Sequence, residues 1–141
     1  MIEIFGGIML ECLILGDSIA VGTAQARPEC VSYSKGGINS RDWNKRNAGN
    51  SLAARTVIIS LGSNDTKNIR TMWELQQLRD RVQADRVFWI IPAIKPDVQK
   101  MVQVVADSYG DTVLPIISLQ KDGVHPDTKG YKAIANSTRT K

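Results

Sequence analysis

The chain has 141 residues, a hydrophobic fraction of 43% and a net charge of +4 at pH 7. This length is typical of one domain with its own core, so we expect a single domain over residues 1–141. The basic residues form no long block, which argues against nucleic-acid binding. No apolar run approaches the length of a membrane span, and we identify no secretory leader. We therefore expect no membrane partner and, by default, a cytoplasmic location.

Residues 1–9 are short and mostly apolar, and Met9 directly precedes the first strong strand pattern. This arrangement leaves open that they are a dispensable extension. The two cysteines, Cys12 and Cys30, each lie in an apolar stretch that we interpret as a strand. Their spacing fits neither a zinc site nor a dense disulfide scaffold. We expect buried, reduced thiols and no metal, although a disulfide stays open if the two strands are neighbours.

Strand and helix patterns alternate along the chain. Apolar runs indicate strands covered on both faces, and apolar residues at helical spacing indicate helices, with Pro and Gly marking several ends. The predicted strands are 10–15, 30–33, 56–61, 87–91 and 112–117, and the predicted helices are 18–26, a short one capped by Ser40, then 68–83, 97–109 and 127–136. This alternation predicts a flavodoxin-like three-layer α/β/α sandwich with a five-stranded parallel sheet.

The first predicted strand stops at Gly16-Asp17-Ser18, and a helix follows. Ligands of parallel sheets bind at the carboxyl ends of the strands, where this serine lies. Its hydroxyl would be exposed, and its N–H would be among the unpaired donors of the helix start. Both features suit a nucleophile that helps to hold a developing oxyanion. The alternative is that Asp17 or Ser18 only caps the helix.

His125 is the only histidine, and it follows Asp122 by three residues across a glycine-containing turn. A serine nucleophile needs a general base, and imidazole is the commonest one. The Asp122 carboxylate could fix the tautomer of His125 and leave the other ring nitrogen for Ser18. The alternative is a surface turn in which Asp122 caps the last helix or pairs with Lys129.

Gly37 and Asn64 follow the second and third predicted strands. A tetrahedral intermediate needs hydrogen-bond donors aimed at its oxygen, and a backbone N–H and a side-chain amide can supply them. The alternative for Gly37 is a turn that needs positive φ, and for Asn64 it is an Asx turn or a helix cap. These structural roles can coexist with the catalytic ones.

The chain resembles the SGNH hydrolases, the GDSL-type esterase and lipase superfamily, through four blocks spread over nearly its whole length. No single block is specific, but together they occur in the family's order on the expected strand pattern. The blocks are Gly16-Asp17-Ser18, the Gly37 loop, Gly62-Ser63-Asn64-Asp65 and Asp122-Gly123-Val124-His125-Pro126.

This resemblance implies a nucleophile at Ser18 and a base at His125 oriented by Asp122. It also implies an oxyanion hole formed by the Ser18 and Gly37 amides and the Asn64 side chain. The sequence departs from the family in having isoleucine after the nucleophile, where the family's name motif has leucine. We prefer Gly37 to its neighbouring glycine as the donor because polar residues follow it at the family's spacing.

The short loops predict an open, shallow site that accepts short acyl groups, acetyl above all, on a carbohydrate or another soluble alcohol, without a cofactor. Substrate contacts are expected from residues in or beside the blocks, namely Asp17, Asn39, Asp65 and Val124. A thioesterase or lysophospholipase, a noncatalytic binding domain and a phosphate-binding flavodoxin-like domain are the alternatives. The last gives no reason for Asp122 and His125. The oligomeric state is not indicated.

Overall fold

The computed structural model describes residues 9–139, so the predicted extension lies outside this range except for Met9. Within it, strands and helices alternate as the sequence predicts. The strands are β1 (Cys12–Gly16), β2 (Val31–Ser34), β3 (Thr56–Ser60), β4 (Arg86–Ile90) and β5 (Thr112–Leu114), and the helices are α1 (Ser18–Ala26), α2 (Ser40–Arg46), α3 (Thr71–Arg81), α4 (Pro96–Tyr109) and α5 (Thr128–Thr138).

The strands form one parallel sheet in the order β2-β1-β3-β4-β5. This is the flavodoxin-like order of a doubly wound sheet. Gly16, the last residue of β1, is in register with Ser34 on one side and Ser60 on the other. The loops that follow these three strands therefore leave the sheet at the same level.

Helices cover both faces of the sheet. Side chains alternate along β1 and β3, so that Ile14 and Ile58 pack with residues of α1 and α5, whereas Leu13 and Val57 pack with residues of α2, α3 and α4. All residues of β1 and β3 are buried, which explains why these strands read as continuous apolar runs. The predicted α/β/α sandwich is confirmed.

The prediction of reduced thiols is wrong, because Cys12 and Cys30 form a disulfide. The bond joins the start of β1 to the residue before β2, and these two strands are neighbours in the sheet. Their Cα atoms lie 4.9 Å apart, which is within the range that a disulfide spans.

Most element boundaries lie within two residues of the prediction, and two differ by three residues. The fifth strand ends at Leu114, because Pro115 has no N–H to continue the ladder. The third helix begins at Thr71, after a turn in which Ile69 N donates to Thr66 O. None of the helices between residues 9 and 139 is long and apolar enough to cross a bilayer.

Candidate active site

The turn between β1 and α1 depends on Gly16. Its φ is +142°, and a Cβ at this position would lie 1.8 Å from the carbonyl oxygen of Ser60. Only glycine tolerates this backbone conformation and this contact. The turn is closed by Asp17 N, which donates to Ser60 O at 3.0 Å, so that Ser18 begins α1 at the carboxyl end of β1.

Asp17 caps α1. One carboxylate oxygen accepts from Ile19 N and Ser60 Oγ, the other accepts from Ser63 Oγ, and the residue is 0% exposed. Burial raises the pKa of this carboxyl, against the effect of these hydrogen bonds. Because Asp17 has no exposed surface, we assign it this capping role in place of the substrate contact expected from the sequence.

Ser18, His125 and Asp122 form a continuous hydrogen-bonded series. Ser18 Oγ lies 2.8 Å from His125 Nε2, and His125 Nδ1 lies 2.7 Å from Asp122 Oδ2. The other oxygen of Asp122 accepts from the backbone N–H groups of His125 and Val124. These backbone bonds, followed by the bond to the imidazole, lower the pKa of Asp122 to about 2. The carboxylate is therefore ionised at neutral pH and can fix the orientation of the ring.

The helix-cap alternative for Asp122 does not hold, because α5 is capped by Asp127, whose side chain accepts from Gly130 N. A small hairpin before α5 carries Asp122 and His125. Its two sides are joined by Gln120 N, which donates to His125 O at 2.8 Å, and by Ser118 Oγ, which donates to Asp127 Oδ2 at 2.7 Å. The sequence analysis missed these supports, since isolated Ser and Gln residues in a loop give no signal of pairing.

The site is open to solvent. The side chains of His125 and Asp122 are 35% and 44% exposed, respectively. A large substrate can therefore approach them without movement of a covering segment.

The loops after β2 and β3 are tied together beside Ser18. Lys35 to Ile38 form a turn closed by Ile38 N donating to Lys35 O, and Gly37 takes the positive φ of +77° that such a turn requires. Asn64 Nδ2 donates to Ile38 O at 3.1 Å. This bond uses one of the two N–H bonds of the Asn64 amide, which leaves the other for a ligand.

The two backbone N–H groups proposed as oxyanion donors are free to bind a ligand in the described part of the protein. Within residues 9–139, the N–H groups of Ser18 and Gly37 make no hydrogen bond to another protein group. The same is true of the N–H of Gly36, at which an added Cβ would lie 3.9 Å from the Cβ of Ser18. The choice of Gly37 over Gly36 therefore stays a prediction.

Asp65 is a second residue that joins the two loops, and it is buried, with 5% of its surface exposed. Its carboxylate accepts from Ser40 N at 2.8 Å, from Ser40 Oγ at 2.5 Å and from Thr71 Oγ1 at 2.7 Å, and its carbonyl accepts from Lys95 Nζ at 2.8 Å. Because Asp65 is buried, we assign it a role in holding the two loops together in place of the substrate contact expected from the sequence. Ser40, Thr71 and Lys95 have no sequence signal for this role, because their common partner is set by the fold.

The two remaining candidates for substrate contact, Asn39 and Val124, are partly exposed. Asn39 is the N-cap of α2, with Oδ1 accepting from Asp42 N at 2.8 Å, so the prediction of Ser40 as the cap is wrong. Val124 lies between Asp122 and His125 on the hairpin. Contact of either residue with substrate stays a prediction.

Comparison with known proteins supports the fold. No protein-family model and no curated protein matches the sequence. A GDSL-like lipase from Bacteroides thetaiotaomicron matches with a TM-score of 0.69 at 16% identity, over 89% of this chain and 84% of the lipase. The catalytic domain of a Streptococcus pneumoniae peptidoglycan O-acetyltransferase matches with a TM-score of 0.57 at 15% identity, over 93% and 91% of the two chains.

A two-domain esterase active on acetylated mannans matches with a TM-score of 0.63 at 16% identity, over 91% of this chain and 47% of the esterase. The likeness to these structures and the strand order identify the fold as that of the SGNH hydrolases. The resemblance indicated by the four sequence blocks is thereby confirmed at the level of the fold.

Proposed function

We propose that this protein is a serine esterase that hydrolyses short-chain carboxylic esters, with O-acetyl groups on a carbohydrate or another soluble alcohol as its substrates. The observation that carries the proposal is the series of hydrogen bonds from Ser18 Oγ through His125 to Asp122. This arrangement is able to activate a hydroxyl at neutral pH.

In the first half of the reaction, Ser18 Oγ attacks the acyl carbon as His125 Nε2 takes its proton. The Asp122 carboxylate accepts from Nδ1–H and stabilises the imidazolium that forms. The N–H groups of Ser18 and Gly37 and the second N–H of Asn64 donate to the oxyanion. When the tetrahedral intermediate collapses, the alcohol leaves with the proton from Nε2, and an ester of Ser18 remains.

In the second half, His125 takes a proton from water, and the oxygen of this water attacks the acyl carbon on Ser18. The same donors hold the second oxyanion. Collapse breaks the bond to Ser18 Oγ, which takes the proton back from Nε2, and a carboxylic acid leaves. No cofactor takes part in either half.

The exposure of His125 and Asp122 supports short acyl groups and a large alcohol, because an open site can admit a carbohydrate. One of the similar structures is an esterase active on acetylated mannans and another is the catalytic domain of a peptidoglycan O-acetyltransferase, so both names concern acetyl groups on glycans. We therefore place acetyl esters of carbohydrates first among the substrates.

One observation favours an alternative, a thioesterase or lysophospholipase. A cavity of about 750 Å³ lies beside the Asn64 loop and includes Ile69, Val98 and Met101 in its lining. An apolar cavity near an acyl-binding site can hold a longer chain.

The test is hydrolysis of p-nitrophenyl esters from acetate to octanoate, together with acetyl and octanoyl thioesters. We expect kcat/KM to be highest for p-nitrophenyl acetate and to fall as the chain lengthens. A maximum at octanoate or with thioesters would support the alternative. Absence of turnover with every ester, in a folded protein, would indicate a noncatalytic domain.

A further inference from the structure

We propose that the groove between α2 and α3 binds a neutral glycan chain whose acylated sugar lies at Ser18, an inference that rests on the proposed function. The groove has a volume of about 530 Å³. Side chains of both helices line it, among them Arg41, Asn44, Lys45, Trp73, Gln77 and Asp80.

Trp73 is the feature that points to a sugar. Its side chain is 44% exposed, whereas Trp43 and Trp89 are fully buried. The guanidinium of Arg70 lies 5.3 Å from the centre of the indole and helps to fix the ring by a cation–π contact. A fixed, exposed indole offers a flat apolar face to the C–H groups of a pyranose ring, with an N–H at its edge.

The rest of the groove supplies hydrogen-bonding groups at regular spacing. Trp73, Gln77 and Asp80 follow one face of α3, and Arg41 and Lys45 lie on one face of α2. Charges of both signs are present, which suits the hydroxyl groups of a neutral glycan better than a polyanion such as nucleic acid.

Asn44 adds an independent sign of function. Its Nδ2 donates to the carbonyl and the carboxylate of Glu74, whereas its Oδ1 is a buried acceptor without a hydrogen-bond partner among the described residues. Such atoms are few in folded proteins, and a functional role or a bound water is among the explanations for them. This one belongs to a residue that lines the groove.

The groove begins at the rim of the candidate active site. Parallel strands and their crossover helices run in opposite directions, so the first turns of α2 and α3 lie at the edge of the sheet that carries Ser18. Arg41 directly follows Ser40, which Asp65 joins to the Asn64 loop. A polymer with one sugar at Ser18 can therefore continue past Asn39 and Arg41 to Trp73.

The test uses a Ser18→Ala chain, which binds without hydrolysis, and neutral pentasaccharides of mannose, xylose and N-acetylglucosamine. We expect at least one of them to produce a saturable change in tryptophan emission, because Trp73 is the tryptophan that solvent and ligand can reach. By calorimetry, Trp73→Ala should weaken the binding about tenfold. Trp73→Phe should restore part of it, and Val104→Ala, a loss of an exposed apolar side chain on α4, should leave it unchanged.

Activity separates the two proposals. With an active Ser18, Trp73→Ala should lower kcat/KM on an acetylated oligosaccharide and leave that on p-nitrophenyl acetate unchanged. If p-nitrophenyl acetate is hydrolysed but no pentasaccharide binds, or if Trp73→Ala binds as tightly as the parent, the groove proposal is wrong and the esterase proposal stands. If a pentasaccharide binds through Trp73 but no ester is hydrolysed, the proposed function is wrong and the groove still binds glycan.

Discussion

Asn64 donates a hydrogen bond to the carbonyl of Ile38, which holds the loop after β3 against the loop after β2. Each of these loops supplies one of the proposed oxyanion donors, Asn64 itself and the N–H of Gly37. The bond therefore fixes the position of both donors relative to Ser18. Preorganised donors are effective because they do not have to reorient as charge develops in the transition state.

We expect Asn64→Ala to lower kcat by roughly 10²–10³ with little change in KM, because the donor acts when negative charge appears on the substrate. The matched control is Ser63→Ala, which removes a neighbouring hydrogen bond to Asp17 and no oxyanion donor. Steady-state kinetics and thermal melting of both variants check this prediction. A folded Asn64→Ala enzyme with near-normal kcat would exclude the side chain from the reaction and leave it only a structural role.

We expect Ser18→Ala to abolish ester hydrolysis and to melt close to the parent, because within residues 9–139 the hydroxyl hydrogen bonds only to His125 and packs against no core cluster. A serine-reactive phosphonate should add its mass to the peptide that contains Ser18 and to no other. Mass spectrometry of the labelled protein checks the assignment. Substantial turnover by the alanine variant would contradict the mechanism.

The pH dependence of activity should follow His125, the only histidine of the chain. Since the pKa of Asp122 is lowered to about 2, its carboxylate stays ionised over the working range and adds no step there. A general base must be neutral to accept the proton of Ser18, so activity should be lost in acid. Asp122→Asn should reduce the rate, because the imidazolium loses its counter-charge. A kcat/KM profile that is flat from about pH 5 to 8 would exclude His125 as the base.

The same carboxylate affects stability in acid. Its pKa is lowered on folding from 3.8 to about 2, so its contribution is present above 3.8 and is lost as the pH falls towards 2. The difference in melting temperature between the parent and Asp122→Asn should therefore shrink over this interval. A difference that stays constant down to pH 2 would contradict the lowered pKa.

The disulfide should contribute to stability. It closes a short loop, with Cys12 and Cys30 separated by 18 positions in sequence, and a loop of this size is worth roughly 3 kcal/mol in the chain-entropy model. We expect the Cys12→Ala/Cys30→Ala variant to lose about this much free energy of unfolding by denaturant titration, with its fold retained.

Disulfides persist mainly in oxidising compartments, which argues against the cytoplasmic location predicted by default.

The sequence predicted the order of strands and helices because long apolar runs such as Val57 to Leu61 have few alternatives to a buried parallel strand. It also predicted the pairing of Asp122 with His125, because both lie on one short turn. It did not predict the disulfide, since that bond depends on which strands become neighbours. Capping by Asp17 was among the alternatives, but the burial of Asp17 and Asp65 was not predicted, because an aspartate beside a catalytic block looks the same in sequence whether it faces solvent or the protein.

A substitution at Asp65 distinguishes a role in substrate binding from a buried role in holding the loops together. If it contacts substrate, as the sequence suggested, Asp65→Ala should raise KM and leave the melting temperature almost unchanged. The structure predicts the opposite, because the substitution leaves the N–H of Ser40 and the hydroxyls of Ser40 and Thr71 without their acceptor. Loss of such buried bonds to a charged group should lower the free energy of unfolding by about 2–4 kcal/mol.

The folded fraction of Asp65→Ala should also show a lower kcat, since Asn64 is the preceding residue, and a KM near that of the parent. Thr71→Val is the matched control, because it removes a single donor to Asp65 and keeps the carboxylate bound to Ser40. It should lose less stability and retain most of the rate. An Asp65→Ala enzyme with parental stability and a raised KM would return Asp65 to the substrate-binding surface.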